Sequence, residues 1–271
     1  MNELTNDVKT PYTFFVCSDI HSAYTPLISA LTEAGFNPNK SNHKLIICGD
    51  IFDRMDESQQ TLDFVNDMMS QNKVILIKGN HCTLLTDCLR RGYPCEHDAH
   101  NGTMKTIKQL GGWEYDNDKS FEKCCIVTET KVKPLLDSMV NYFETENYIF
   151  VHSFIPLKCN DNLPAHYING RKFEVNPDWR TAHQWEWDDA MWGNPFDLAS
   201  KGLLPDKTLV FGHWHTSWAR HHFDGKPEWG EFADFSPYYG DGYIGIDACT
   251  AYSGKVNVLV IEDNFLPIDN V

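Results

Sequence analysis

The feature that most constrains this chain is a pattern at the ends of five short apolar runs. Each run is rich in β-branched and aromatic residues, which predicts a buried strand. Each is followed by side chains that bind metal ions: aspartate, asparagine or histidine. The runs are 13–17, 44–48, 73–77, 148–151 and 208–211, and the polar residues after them are Asp19, His21, Asp50, Asn80, His152, His213 and His215.

Helix-like segments separate the first three runs. Residues 26–34 and 59–69 carry apolar side chains at helical spacing. Alternating strands and helices predict βαβ units, whose parallel strands all end at one edge of a sheet. Ligands of open α/β sheets bind at that edge. Two later runs, 243–246 and 255–261, alternate between apolar and polar residues more clearly and predict antiparallel strands of a second sheet.

The candidate ligands suit a pair of divalent metal ions. Two ions about 3.5–4 Å apart can clamp a phosphoryl group and activate water near neutral pH. Such a pair needs a carboxylate shared by both ions, with imidazoles and an amide or carboxylate in the outer positions. Mixed nitrogen and oxygen donors favour manganese, iron or zinc over magnesium or calcium. We therefore predict two such ions as cofactors.

Three neighbouring residues predict the rest of a site that hydrolyses phosphoesters. His81 follows Asn80 and can protonate a leaving group, while Asp53 can hold the imidazolium of His81. Arg54 offers a planar guanidinium to phosphate oxygens. The stretch from Asp50 to Arg54 thus divides into a metal ligand, a partner for His81 and a substrate contact.

Taken singly, each motif also has an ordinary explanation. Asp50 and Asn80 could belong to turns, and His152 could be a satisfied core imidazole. His213 and His215 could share one face of a strand. Turns alone would not explain why metal-binding residue types follow five separate runs, or why five of the twelve histidines lie there. The combination favours the metal site.

The ordered motifs resemble the signature of the calcineurin-like metallophosphoesterases. They are Asp19-x-His21, Gly49-Asp50-x-x-Asp53-Arg54, Gly79-Asn80-His81, His152 and Gly212-His213-x-His215. The Asp53-Arg54 pair, residues 189–195 and the tail 246–254 are similar more particularly to the phosphoprotein phosphatase branch. Bacterial members of that branch include protein phosphatases and symmetrical diadenosine tetraphosphate hydrolases. The resemblance extends from about residue 13 to residue 261.

This resemblance implies an α/β fold of four layers, αββα, with two central sheets between helices and the metals at the strand ends. It also implies a division of the ligands. Asp19 and His21 bind the first ion, Asp50 bridges, and Asn80, His152 and His213 bind the second. In the wider superfamily the residue matched by His215 also binds the first ion. The predicted substrate contacts are Arg54, Asn80 and Tyr252, the last by its place in the tail motif. The candidates for a second phosphate-binding arginine are Arg180 and Arg220.

We predict a single metallophosphoesterase domain over residues 1–271, with a cap-like insertion at about 156–206. In that insertion the helical or strand periodicity fades, and four tryptophans occur among Asn, Asp and Pro residues. The tryptophans are Trp179, Trp185, Trp187 and Trp192. Large aromatic residues could fill the core beneath the cap. Alternatively, Trp185, Trp187 or Trp214 could stack on a nucleobase.

Composition limits the partners and the location. A formal charge of −15 would repel phosphate backbones, so nucleic acid is a disfavoured partner. No secretory signal or long apolar run is present, which predicts a cytoplasmic protein without a membrane partner. The nine cysteines are an odd number and two lie in strand-like runs, which predicts reduced thiols. A cysteine zinc site is the alternative, although no CxxC pair exists.

The predicted function is metal-dependent hydrolysis of phosphoesters. The first candidate is a serine/threonine-type protein phosphatase, in which a hydroxide activated by two metals attacks a phosphorylated protein. The alternative is a symmetrical dinucleoside tetraphosphate hydrolase, which would use the same centre on a nucleotide substrate. A noncatalytic metal-binding scaffold and a nuclease are further alternatives, and the acidic composition disfavours the nuclease.

Overall fold

The computed structural model describes residues 11–112, 120–159 and 173–266. The strands are β1 (Tyr12–Cys17), β2 (His43–Cys48), β3 (Val74–Ile77), β4 (Phe143–Glu144), β5 (Tyr148–Phe150), β6 (Leu157–Cys159), β7 (Phe173–Val175), β8 (Thr208–Phe211), β9 (Tyr238–Gly240), β10 (Tyr243–Gly245) and β11 (Leu259–Asp263). The helices are α1 (Tyr24–Glu33), α2 (Ser58–Ser70), α3 (Asn80–Arg91), α4 (Glu96–Asn101), α5 (Thr103–Gly111), α6 (Phe121–Asp137), α7 (Gln184–Ala190), α8 (Pro195–Ser200), α9 (Thr216–Asp224) and α10 (Thr250–Ser253).

The strands form two main sheets. The first has the order β11-β1-β2-β3 and the second β4-β5-β8-β10-β9, while β6 and β7 pair separately. Strands β1, β2 and β3 run parallel to one another. Strands β5, β8 and β10 are likewise parallel. All five predicted runs are therefore strands, and α1 and α2 are the predicted helices between the first three.

Both faces of the central strands are buried, because successive side chains of a strand point to opposite faces. In β1, Phe15 and Cys17 face a cluster supplied by helices α1, α2, α3, α5 and α6. Phe14 and Val16 instead pack between the two sheets, against side chains that include Phe150 and Val210. The outer face of the second sheet packs against α7, α8 and α9. The order helix, sheet, sheet, helix confirms the predicted four-layer α/β fold.

One of the two late strands lies in a different sheet from the one predicted. Strand β11 pairs with β1 in the first sheet, although residues 255–261 were predicted to join the second. Strand β10 lies in the second sheet, where it is antiparallel to β9 but parallel to β8. Alternation along a strand reports which faces are buried and carries no information about the neighbouring strand. The sheet to which a strand belongs is decided by the packing of the whole chain.

The predicted cap at 156–206 includes residues 160–172, which lie outside the described residues. Its described part contains β6, β7, α7 and α8. Trp179 and Trp187 are buried there, and their rings lie 4.9 and 5.4 Å from that of Tyr142. These two tryptophans fill a core, as the first of the two alternatives predicts. The single domain and the role of this segment as a cap stay predictions.

Candidate functional site

The candidate site residues follow the carboxyl ends of strands, either in loops or, for Asn80 and His81, at the start of α3. Nine non-glycine residues in the described ranges have a positive φ, and all but Asn72 follow strands β1, β2, β8 or β10; these eight are Asp19, His21, Ser22, Asp50, Asp53, Arg54, His213 and Cys249. Each such residue costs of order 1–3 kcal/mol. That conformation persists only where the surrounding structure enforces it, so the side chains of these loops are held in defined directions.

Asp50 lies at the centre of the site. Its Oδ2 atom is 3.9 Å from Nε2 of His21, 4.0 Å from Nε2 of His81 and 3.4 Å from Nε2 of His152. Donor atoms of Asp50, His21 and His81 lie within 4.8 Å of one another, and so do those of Asp50, His152 and His213. Asp50 therefore belongs to both groups of candidate metal ligands.

Asp19 and Asn80 extend the two groups. Oδ1 of Asp19 is 4.0 Å from Nε2 of His21, and its Oδ2 accepts the backbone N–H of His213 at 2.9 Å. Oδ1 of Asn80 lies 2.8 Å from Nε2 of His152. All of these side chains except that of His213 are buried. Six predicted ligands thus converge from five strand ends.

Backbone carbonyls orient two of the imidazoles. Nδ1 of His21 lies 3.0 Å from the carbonyl oxygen of Phe52, and Nδ1 of His152 lies 3.0 Å from that of Cys48. A carbonyl can only accept, so each Nδ1 carries a proton and Nε2 is the ring nitrogen that faces the cluster. This is the arrangement in which histidines bind metals.

The charges of the cluster fit divalent cations. Burial lowers the pKa of His21 and of His213 to about 3, which keeps both imidazoles in the neutral form that binds metal. Burial and the charge of Asp50 raise the pKa of Asp19 to about 8. Burial acts in the same direction on Asp50, but the surrounding histidines, chiefly His152, lower its pKa overall. Two carboxylates whose mutual repulsion raises the pKa of Asp19, together with the neutral imidazoles of His21 and His213, form a donor set that suits divalent metal ions.

Three glycines leave room for the ligands. A Cβ atom at Gly49 would overlap the ring of His152, and one at Gly79 would overlap the carboxylate of Asp50. A Cβ atom at Gly212 would overlap Oδ2 of Asp19. The glycines that precede Asp50, Asn80 and His213 are therefore required by the close approach of other ligands.

Replacing Gly212 by Ala is expected to weaken metal binding by roughly 10–100-fold without removing any ligand, because the new methyl group displaces Asp19. Calorimetric titration with Mn²⁺ measures the affinity. Gly193→Ala is the control, since its Cβ would meet only the flexible end of Leu198, at 3.2 Å. Wild-type affinity in the Gly212 variant would contradict the steric role given to this glycine.

His81 is held by Asp53 and approached by Arg54. Nδ1 of His81 donates to Oδ2 of the fully buried Asp53 at 2.7 Å. Burial disfavours a charge on His81, but the carboxylates of Asp50 and Asp53 outweigh it and raise the pKa of the imidazole. Nη2 of Arg54 lies 3.3 Å from Nε2 of His81, and the Arg54 side chain is exposed. The three residues can present a proton and a guanidinium beside the donor cluster.

Sequence reasoning missed two residues that hold Asp53. The hydroxyl groups of Thr103 and Thr106 donate to its carboxylate. The threonines are three residues apart, a spacing that places them on one face of α5. No signal in the sequence connects that face with Asp53, about fifty positions earlier.

His215 makes contacts outside the two donor groups, and its role as a metal ligand stays a prediction. His215 belongs to neither donor group found among the described residues. Its Nδ1 accepts the backbone N–H of Trp218 at 3.1 Å and so caps α9, and its Nε2 lies 3.6 Å from Glu228. The side chain thus caps the start of helix α9.

Tyr252 lies in a separate aromatic cluster. Its hydroxyl accepts the backbone N–H of Gly230 at 3.1 Å, and its ring lies 4.9 Å from that of Trp229. The side chain is 55% exposed, so a ligand could reach it. A contact of Tyr252 with substrate stays a prediction.

The candidates for a second phosphate-binding arginine are occupied elsewhere. Arg180 forms two hydrogen bonds of 2.8 Å to Glu144, and Nε of Arg220 lies 3.1 Å from Asp234. Carboxylates therefore neutralise both guanidinium groups. Arg54 is the arginine that the structure places beside His81.

The proposed base-stacking tryptophans have different environments. Trp187 is buried and stacked on Tyr142, so it has no free face for a base. Trp214 packs edge to face against Trp218, with ring centroids 5.3 Å apart. Trp185 is 63% exposed. The burial of Trp187 excludes the stacking alternative for that residue.

The family model for calcineurin-like phosphoesterases matches residues 12–239. This span contains both donor groups and the Asp53–His81 pair. The chain belongs to the calcineurin-like phosphoesterase family and is a phosphoester hydrolase. Enzymes of this family use divalent metal ions, in agreement with the donor set described above.

Among curated proteins, the chain is similar to the symmetrical bis(5'-nucleosyl)-tetraphosphatase of Shewanella frigidimarina, with 27% identity over 241 residues, 74% of this chain and 84% of that protein. Two solved structures share the fold. The cold-active protein-tyrosine phosphatase of a psychrophilic Shewanella species is 14% identical, with a TM-score of 0.56 over 94% of this chain and 76% of that one. A protein serine/threonine phosphatase from Saccharomyces cerevisiae is 11% identical, with a TM-score of 0.50 over 98% and 84%.

No helix among the described residues combines the length and the apolar character needed to cross a bilayer. The cytoplasmic location stays a prediction.

Proposed function

We propose that this chain is a phosphomonoesterase that uses two divalent metal ions and acts on phosphoserine or phosphothreonine in proteins. The observation that carries the proposal is the position of Asp50 in both donor groups, next to a histidine that is hydrogen bonded to a buried carboxylate. The first feature suits two ions and the second suits proton transfer to a leaving group.

The proposed ligands are the six residues that converge on the cluster. Asp19 and His21 would hold one ion, and Asn80, His152 and His213 would hold the other, with Asp50 shared. When bound, the ions supply Lewis acidity to the phosphoryl oxygens and lower the pKa of water. His81 is left out of the ligand set, because Asp50 and Asp53 raise the pKa of its imidazole against the effect of burial and so favour the protonated form, which cannot bind a metal.

Arg54, His81 and Asp53 would act on the substrate itself. The exposed guanidinium of Arg54 can turn from His81 to two phosphoryl oxygens and form paired hydrogen bonds. Nε2 of His81 would then carry a proton to the leaving oxygen, while Asp53 keeps Nδ1 protonated and fixes the ring. Asn80, which directly precedes His81 in the sequence, and Tyr252 are the other two proposed substrate contacts.

Leaving-group chemistry favours an alkyl phosphoester as the substrate. A serine or threonine alkoxide is strongly basic, so cleavage needs a proton at the departing oxygen. Cleavage within a polyphosphate releases a phosphate group, which is a stable anion without that proton. The raised pKa of His81 therefore serves phosphoserine or phosphothreonine more than it serves a phosphoanhydride.

A symmetrical dinucleoside tetraphosphate is the second candidate substrate. The supporting observation is the similarity to the symmetrical bis(5'-nucleosyl)-tetraphosphatase, which is 27% identical and covers 74% of this chain. Such a substrate would need base-binding surfaces on each side of the donor cluster. The exposed Trp185 and Tyr252 are the candidates for those surfaces.

A hydrolysis screen of the manganese-loaded chain tests the proposal. We expect the highest kcat/KM for a phosphoserine or phosphothreonine peptide, a lower value for diadenosine tetraphosphate and the lowest for a phosphodiester. The Asp50→Asn variant serves as the inactive control in every assay. A preference for diadenosine tetraphosphate over the peptides would replace the first candidate by the second.

A further inference from the structure

We propose that Thr103 and Thr106 position the Asp53–His81 pair for proton transfer, an inference that rests on the proposed function. Oγ1 of Thr103 donates to Oδ2 of Asp53 at 2.9 Å, and Oγ1 of Thr106 donates to Oδ1 at 2.7 Å. Oδ2 is also the atom that accepts Nδ1–H of His81. The two threonines therefore bind both oxygens of the carboxylate that orients the imidazole.

Thr106 fixes the main chain of Asp53 as well as its side chain. The hydroxyl oxygen of Thr106 accepts the backbone N–H of Asp53 at 3.0 Å. Asp53 has a φ of 76°, a conformation that non-glycine residues adopt only when their surroundings enforce it. Both threonines and Asp53 are fully buried, so water is not available to replace these hydrogen bonds.

The N-terminal part of α5 is built to lie against the loop that carries Asp53. Gly102 precedes the helix, and a Cβ atom there would overlap the backbone nitrogen of Arg54. Nζ of Lys105 donates to the carbonyl oxygen of Arg54 at 2.9 Å. The start of a helix also stabilises a nearby negative charge, here that of Asp53.

Further along α5, Gln109 continues the same contact. Its Oε1 accepts the backbone N–H of Ser58 at 2.7 Å, and its Nε2 donates to the carbonyl oxygen of Met55 at 3.2 Å. The helix therefore holds the whole segment from Asp53 to Ser58. A carboxylate fixed in this way keeps the ring of His81 aimed at the leaving oxygen, so the threonines act through Asp53 and do not touch substrate.

The test compares Thr103→Val, Thr106→Val and their double variant in the full, manganese-loaded chain. On a phosphoserine peptide we expect kcat to fall roughly 10–100-fold in the double variant, with KM and metal content unchanged. On p-nitrophenyl phosphate, whose leaving group needs no proton, the fall should be smaller. Thr106→Ser should restore turnover, because it keeps the hydroxyl and loses only the methyl group.

Thr128→Val is the matched control, since Thr128 is equally buried and its hydroxyl donates to the carbonyl oxygen of Cys124 within α6. An equal loss of turnover on both substrates, a failure of serine to restore it, or the same loss in Thr128→Val would overturn the positioning role.

A second measurement separates this proposal from the proposed function. If the wild-type chain hydrolyses no phosphoester, the proposed function fails, and the contact can still be observed by NMR of zinc-loaded protein labelled with ¹⁵N-histidine. The Nδ1 proton of His81 should give a downfield signal in wild type and in Thr128→Val. That signal should be lost or strongly shifted in the double variant, and an unchanged signal would overturn the inference.

Discussion

Replacing Asp50 by Asn is expected to remove metal ions from both donor groups and to lower turnover by roughly 10³-fold or more. The magnitude follows because each 1.36 kcal/mol of lost transition-state stabilisation is about tenfold in rate and a metal ion supplies several kcal/mol. Asp50 contributes to both groups, whereas His21 and His213 each contribute to one. An amide carries no charge and cannot compensate two cations.

The fold should tolerate this change. Asp50 Oδ1 accepts the backbone N–H of His81 at 3.0 Å, and an asparagine oxygen can accept the same hydrogen bond. Metal content is measured by elemental analysis, and thermal unfolding is recorded with and without Mn²⁺. A saturating ligand adds about 2.7 kcal/mol to the free energy of unfolding at 100 times its Kd, so Mn²⁺ should raise the Tm of wild type and leave that of the variant unchanged.

The control is Asp263→Asn, which alters another buried carboxylate, one that accepts the backbone N–H of Asn147 at 2.9 Å. This variant should lose stability and keep both metals. Two fully occupied metal positions in Asp50→Asn would refute the shared role of Asp50.

Replacing His81 by Asn is expected to leave the metals bound and to slow turnover of phosphoserine roughly 10²–10⁴-fold, the usual contribution of a positioned acid. Asparagine cannot deliver a proton to the leaving oxygen. The loss should be much smaller on p-nitrophenyl phosphate, so the ratio of the two rates isolates proton transfer from binding. His221→Asn, at an exposed position, is the control.

The pH profile should change in the same variant. Against the opposing effect of burial, Asp50 and Asp53 raise the pKa of His81, so the protonated imidazole persists to higher pH than a free one. In wild type, turnover of phosphoserine should therefore decline as pH rises through that pKa. This decline should be absent in His81→Asn. If the variant hydrolyses phosphoserine at the same rate as wild type at every pH, His81 is not the acid.

The strands and ligands could be predicted because both follow from local chemistry. A strand buried on both faces has an uninterrupted apolar run, as in Leu45 to Cys48, and a turn to polar residues marks its end. Helices α1 and α2 could be predicted for a similar reason. One face of each packs on the first sheet, so their apolar residues recur at helical spacing. The ligands come directly after the strands, so locating the strands located the cluster.

Other features depend on contacts between residues distant in sequence. His213 and His215 look equivalent in the sequence, but a two-residue step carries His215 to the N-terminus of α9, where it caps the helix. Arg54 and Arg180 look similar in the sequence, since both lie near acidic residues. Only the structure shows that the guanidinium of Arg180 is hydrogen bonded to Glu144.

By itself, the sequence determined the layered α/β fold and a set of aspartates, histidines and an asparagine that suits two divalent ions. These follow from the spacing of apolar and polar residues over a few positions, which short-range geometry translates into strands and their ends. The tertiary structure alone decided that Asp19 accepts the backbone N–H of His213, that His215 caps α9, and that Thr103 and Thr106 hold Asp53. Such contacts join residues up to two hundred positions apart, and packing, not local spacing, brings them together.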